Sequence, residues 1–163
     1  MKPPGSVETE RKYLIVKPDL DVLRSMGCER SSILQTYLRS DDSSVVRRVR
    51  QRGYAEGFSY CYTEKKAVSD MSRLETETRL TEAEYLALLT EGEKAVRKDR
   101  FRFFYNGQCF ELDIYPGWED TAILEIELEE EAQIPDIPAW ITVVREVTGD
   151  PAYLNVNLAR QPR

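Results

Sequence analysis

Charged residues recur at every second position along this chain, in segment after segment. Glu8, Glu10 and Lys12 are spaced in this way, as are Arg48 and Arg50, Glu75 and Glu77, and Lys98, Arg100 and Arg102. Glu111 and Asp113, then Glu125 and Glu127, repeat the pattern. A helix would scatter such residues around its axis, whereas in a strand every second side chain points to the same face. The intervening positions of the later segments are apolar: Phe101 and Phe103, then Phe110, Leu112 and Ile114, then Leu124, Ile126 and Leu128. The chain therefore reads as sheet, with an apolar face and a face that gathers charges of both signs.

β-Branched and aromatic content between turn signals predicts eight strands, over 7–17, 31–39, 44–52, 57–66, 72–80, 94–105, 108–115 and 121–129. Helix signals are few. Pro18 opens a short helix that ends at Gly27, and Thr81 to Glu84 forms a capping box ahead of Tyr85, Leu86, Leu88 and Leu89. A last short helix is expected over 151–160. Short connections require antiparallel pairing, so the fold class is mainly β (α+β), with a few short outer helices. Asn106-Gly107 is a type I′ hairpin signal, which sets Phe103 against Phe110, Arg102 against Glu111 and Arg100 against Asp113. No repeat or long linker divides the 163 residues, so one domain over 1–163 is expected.

Composition removes several chemistries. Histidine is absent, which excludes Ser-His-Asp triads, Cys-His dyads and His-ligated metal sites. Cys28, Cys61 and Cys109 are an odd number without CxxC spacing, so a reducing cytoplasm is expected rather than a disulfide framework. A net charge of −6 argues against broad nucleic-acid binding. No apolar run approaches the roughly 20 residues of a membrane span, and the stretch from Met1 to Ser6 lacks the apolar run expected of a signal peptide.

Periodicity alone leaves two readings of the charged face: a solvated sheet surface, or the inside of a barrel that eight strands suffice to close. Exposed faces are usually rich in Thr, Ser, Gln and Lys, whereas Glu and Arg dominate here. Enclosed, carboxylates standing about 6.7 Å apart at i and i+2 can converge on hard cations. All-oxygen ligation selects Mg²⁺, Mn²⁺ or Ca²⁺. Arg and Lys beside them suit a polyanion, and metal plus guanidinium around one cavity is the recipe of phosphoryl transfer. Without histidine, such an activity is expected to rise toward alkaline pH with no histidine-like inflection.

Several of these segments together resemble one family. Val7 to Ile15 (VETERKYLI) carries an ExExK signature at Glu8, Glu10 and Lys12, similar to that of the CYTH superfamily, the triphosphate tunnel metalloenzymes, in its short bacterial form. Arg48-Val-Arg50, Thr63-Glu-Lys65, Glu75-Thr-Glu77 and Lys98-Asp-Arg100 follow in the family's order. So do FELDI at 110–114, LEIEL at 124–128, and the closing segment from Glu146 to Asp150 with Tyr153 and Asn155. Pro151 and Ala152 precede Tyr153, where the family often carries a basic residue.

The resemblance implies an eight-stranded antiparallel closed β-barrel tunnel and a divalent-metal-dependent triphosphatase, a phosphoric anhydride hydrolase. On that pattern Glu8, Glu10, Glu125 and Glu127 hold Mg²⁺ or Mn²⁺. Lys12, Arg48, Arg50, Lys65, Lys98 and Arg100 hold a small triphosphate-containing substrate. Glu8, Glu10 and Lys98 are the catalytic candidates, while Glu75, Glu77, Glu111 and Asp113 support the cations. No nucleic-acid or membrane partner is expected, and a homodimer stays open. Two alternatives remain. One is a class IV type adenylate cyclase, although that branch commonly carries a histidine-containing opening that is missing here. The other is a non-catalytic polyphosphate- or nucleotide-binding module.

Overall fold

The structure, a computed structural model, describes residues 5–160, so the first four residues of the N-terminal stretch considered above lie outside the described residues. The strands are β1 (Ser6–Val16), β2 (Glu29–Leu38), β3 (Val45–Tyr54), β4 (Gly57–Ala67), β5 (Ser72–Leu80), β6 (Gly92–Tyr105), β7 (Gln108–Ile114), β8 (Thr121–Leu128) and β9 (Val143–Glu146). The helices are short: α1 (Leu20–Ser25), α2 (Glu82–Leu89) and α3 (Asn155–Leu158), with a 3₁₀ turn at Pro151–Tyr153.

Strand neighbours run β5-β4-β3-β2-β6-β7-β8-β1, all antiparallel, and β1 returns to β5. This closes an eight-stranded barrel. Closure depends on β1 changing partner along one edge. Ser6 to Thr9 pair with Ser72 to Glu75 of β5, while Thr9 to Val16 pair with β8 on the other edge. Beyond Thr9 the edge left by β5 is taken by β9, which sets Glu146 beside Tyr13 and Val143 beside Ile15. The sequence pattern did not predict β9, whose four residues are all exposed and show no alternation.

Local chemistry explains the turns. Asn106 and Gly107 have φ of 48° and 75°, the two positive values that a type I′ turn needs. The hairpin has the register expected from sequence, with Arg100 opposite Asp113, Arg102 opposite Glu111 and Phe103 opposite Phe110. Helix α2 carries a complete capping box: Glu84 N donates to Thr81 Oγ1 at 3.1 Å, and Thr81 N donates to Glu84 Oε1 at 2.9 Å. The helix expected over 151–160 is instead interrupted at Leu154, which is extended. The chain then leaves α3 so that Arg160 and Ala95 of β6 exchange backbone hydrogen bonds of 2.8 and 2.9 Å.

The apolar layers lie outside the barrel. Phe101, Phe103, Phe110, Leu112, Leu124 and Ile126 face outward under Leu23 of α1 and Ile141 of the segment before β9. Val49, Leu38 and Tyr85 form a second cluster beneath α2, with the Tyr60 and Tyr85 rings 4.8 Å apart. A third cluster, built from Tyr37, Val96, Tyr115 and Ile123 with Val147 and Ala159, occupies inward positions at one end of the barrel and floors its interior.

Phe110 is fully buried and stacks on Phe103 at 5.2 Å, so Phe110→Ala is expected to cost about 3–5 kcal/mol of stability. Phe104, which is exposed and stands opposite Cys109 in the same hairpin, should tolerate alanine within about 0.5 kcal/mol. Denaturant unfolding of both variants checks the assignment, and equal losses would contradict it.

Candidate functional site

Alternation and closure together turn the charged face inward. A cavity of about 450 Å³ lies inside the barrel. Of the residues singled out from sequence, Glu8, Glu10, Lys12, Arg48, Arg50, Lys65, Glu75, Glu77, Arg100, Glu111, Glu125 and Glu127 line it. Lys98 and Asp113 do not. Their side chains are 0% exposed and paired at 2.7 Å, on the same inward face but between the cavity and the apolar floor. The resemblance implies that Lys98 holds substrate; in this structure it lies one step toward the apolar floor from Arg100, with Val96 the next inward position along β6.

Sequence reasoning also missed lining residues. Arg52 and Arg73 continue the alternation of β3 and β5 and could have been found by extending it. Asp70, Thr148 and Asp150 sit in turns without periodicity. Thr148 is fixed by Lys12, whose backbone N donates to its Oγ1 at 2.9 Å.

Three of the lining cations already have carboxylate partners. Lys65 Nζ sits between Glu8 at 2.9 Å and Glu75 at 3.5 Å. Lys12 Nζ lies 3.5 Å from Glu125 and donates to the Tyr153 carbonyl at 3.1 Å. Arg100 grips Asp113 through Nε at 2.8 Å and Nη2 at 3.0 Å, and also meets Glu111 at 3.0 Å. Burial raises the Asp113 carboxyl, but Arg100 and Lys98 overcome it and hold the group well below the usual carboxylate range. In the same way Lys12, Lys98 and Arg100 outweigh burial and pull Glu125 down to about 2. These two carboxylates are firmly ionised.

Strand β3 is different. Arg48 and Arg50 have no carboxylate within ion-pair distance among the described residues, and Arg48 Nε is buried without a hydrogen-bond partner. Burial, reinforced by Arg48, Arg100 and Arg52, pushes the Arg50 guanidinium below its ordinary range. This side of the cavity has an unmet demand for negative charge.

The wall formed by β1 and β8 has the opposite demand. Glu10 and Glu127 are direct cross-strand neighbours, a like-charge pairing that costs energy unless a cation intervenes. Burial, then the charges of Glu125 and Glu8, push Glu10 up to about 8. Glu75 rises to about 7, through burial and a hydrogen bond with Glu8. Lys98 is lowered by burial to about 7, Asp113 opposing. Titration near neutrality, unexpected without histidine, thus comes from burial. All-oxygen Glu8, Glu10, Glu125 and Glu127 suit a hard divalent cation by donor type. Among the described residues no three such side chains are already gathered into a metal-binding group.

The sign of one pH effect follows. Glu10 has a folded value of about 8 against an ordinary 4.5, so its stabilising contribution is complete below about 4.5 and lost as pH rises toward 8. Between pH 5 and 7 the native, cation-free protein therefore holds a proton that the unfolded chain has released. Stability of the parent relative to Glu10→Gln should fall across that range, measured by denaturant unfolding with EDTA present. A difference independent of pH would mean that Glu10 is already ionised.

No family model matches the chain. It is 36% identical over 159 residues to the inorganic triphosphatase of Acetivibrio thermocellus, covering 95% of this chain and 94% of that protein. It is 34% identical over 159 residues to the inorganic triphosphatase of Nitrosomonas europaea, covering 93% and 96% respectively. The solved structure of the inorganic triphosphatase NE1496 superposes with a TM-score of 0.58 at 29% identity, over 96% of this chain and 97% of that one. The PH1819 protein of Pyrococcus horikoshii OT3 shares the fold at 18% identity, with a TM-score of 0.59 over 77% of this chain and 80% of its own. With this likeness along nearly its whole length and a closed barrel lined by charge, the chain belongs to the CYTH superfamily, alongside those inorganic triphosphatases.

Proposed function

We propose that the protein hydrolyses inorganic triphosphate to pyrophosphate and phosphate, using a divalent cation, Mg²⁺ or Mn²⁺. The observation that carries this reading is the polarity of the cavity. Among the described residues Arg48 and Arg50 have no carboxylate within ion-pair distance on one side, and on the other burial and the charges of Glu125 and Glu8 drive Glu10 toward its neutral form. A linear polyanion bound with a cation satisfies both demands at once. The names of the two relatives favour hydrolysis over cyclisation or mere capture. Three free cysteines fit action in a reducing cytoplasm.

Each residue then has a task. Arg48, Arg50 and Arg52 bind the phosphate oxygens as bidentate guanidinium donors. Lys12, Lys65 and Arg100 turn part of their charge from carboxylate to substrate and neutralise what develops on the equatorial and leaving oxygens. Glu8, Glu10, Glu125 and Glu127 would hold the cation, which when bound polarises the phosphoryl group and lowers the pKa of water. Glu8 and Glu10 orient the attacking water and accept its proton. Water oxygen bonds to the terminal phosphorus as the bond to the bridging oxygen breaks, and pyrophosphate leaves. Lys98 acts through Asp113, which fixes Arg100 by two hydrogen bonds.

Two variants separate the tasks. Glu127→Gln should cut turnover by about a hundredfold or more while triphosphate binding in EDTA persists. Arg50→Ala should weaken that binding itself by about 1.5–3 kcal/mol. Calorimetric titration beside phosphate release, with Mg²⁺, Mn²⁺ or EDTA, reads both. A parent protein that binds triphosphate yet releases no phosphate would replace the enzyme by a binding module, and cyclic nucleotide release from ATP would replace it by a cyclase.

A further inference from the structure

Gln35 belongs to no charged motif, yet it sits at the centre of the cationic wall. It is 0% exposed and lies in β2, level with Arg50 of β3 on one side and Val96 of β6 on the other. Its Oε1 accepts from Arg50 Nε at 2.9 Å and also from Arg50 Nη2. Its Nε2 donates to Tyr37 Oη at 3.1 Å. Both ends of the amide are therefore used, and its orientation is set by donors it cannot exchange.

The chemistry of this partner is what matters. Other buried cations meet a carboxylate, as Arg100 and Lys98 meet Asp113 and Lys12 meets Glu125. At Arg50 a neutral amide takes that place. An apolar side chain would leave two buried guanidinium donors unsatisfied and free the fork to rotate. A carboxylate would hold the fork equally well but would cancel its charge at close range. The amide alone gives orientation without neutralisation.

We propose that Gln35 is the positioning residue of Arg50, fixing the guanidinium toward the cavity while leaving its full charge to the triphosphate. This rests on the triphosphatase reading above. Arg50 touches the substrate, and Gln35 acts only through it.

Gln35→Glu isolates the charge. The two side chains have the same shape, the carboxylate still accepts from Arg50, and the Tyr37 hydroxyl can turn to donate to it. The new anion also relieves the crowding of Arg48, Arg50 and Arg52. The expected signature is opposite movement of two readouts. The melting temperature of Gln35→Glu equals or exceeds that of the parent, whereas triphosphate affinity in EDTA falls about tenfold or more. In steady-state assays most of the loss appears in KM, and it shrinks at high salt. Gln35→Met, which removes both hydrogen bonds, should lose affinity together with stability.

Binding of Gln35→Glu within twofold of the parent would overturn the proposal, as would parallel loss of stability and affinity, the mark of a purely structural residue. The parent distinguishes the two levels of failure. If it hydrolyses triphosphate and Gln35→Glu does so equally well, only the role of Gln35 falls. If the parent neither binds nor hydrolyses triphosphate, the functional reading falls and the role of Gln35 falls with it.

Discussion

Charge turned into a closed barrel is the constraint on which the rest of this structure depends. Closure of eight strands surrounds the inward side chains with protein. A carboxylate or guanidinium there has lost much of its hydration, so it needs a partner of opposite sign, a change of protonation or a ligand. All three occur. Asp113 is paired, Glu10 is driven toward its neutral form, and Arg48 and Arg50 face the cavity without a counter-charge.

The same constraint inverts the usual arrangement of the core. With polar groups inside, the apolar positions of β6, β7 and β8 must be covered from without. Helix α1 and the segment leading to β9 do this on one side, and α2 covers β3 and β4. The return of the chain after β8 thus serves twice. It covers the outer apolar layer, and as β9 it takes up the β1 edge that β5 leaves. The C-terminal turn completes the apolar floor and lends the Tyr153 carbonyl to Lys12. Stability and site are built by the same connections.

Within the cavity, the division between paired and unpaired cations gives the proposed chemistry its direction. Lys65, Lys12 and Arg100 are already held by carboxylates, which fixes their positions but spends part of their charge. The β3 arginines supply the uncompensated part, and the Gln35 amide holds Arg50 without compensating it. On the proposed function, a polyanion bound with a cation answers both sides of the cavity. Sequence likeness over nearly the whole chain is what places the protein beside the inorganic triphosphatases it resembles.

Much of this was legible in the sequence. Period-two charge defined the strands and faces because side-chain direction in a strand is a local property. Asn106-Gly107 determined the β6–β7 register because positive φ at both positions selects one turn, and Thr81 with Glu84 determined the start of α2 by local hydrogen bonding. Depth and partnership are not local. Lys98 and Arg100 share one pattern and one face, and only the position of the apolar floor along the barrel buries the first beneath the cavity and leaves the second lining it. β9 has no pattern of its own, since it is a strand only because β1 leaves an edge open beside it. Gln35 carries no charge to reveal it and gains its place from Arg50 across the sheet. The alternation of residue types thus determined the strands and the faces, and the order of the charged motifs carried the family resemblance. Tertiary structure alone decided which charges are neutralised and which remain for a ligand, because pairing and desolvation depend on distances between strands far apart in the chain.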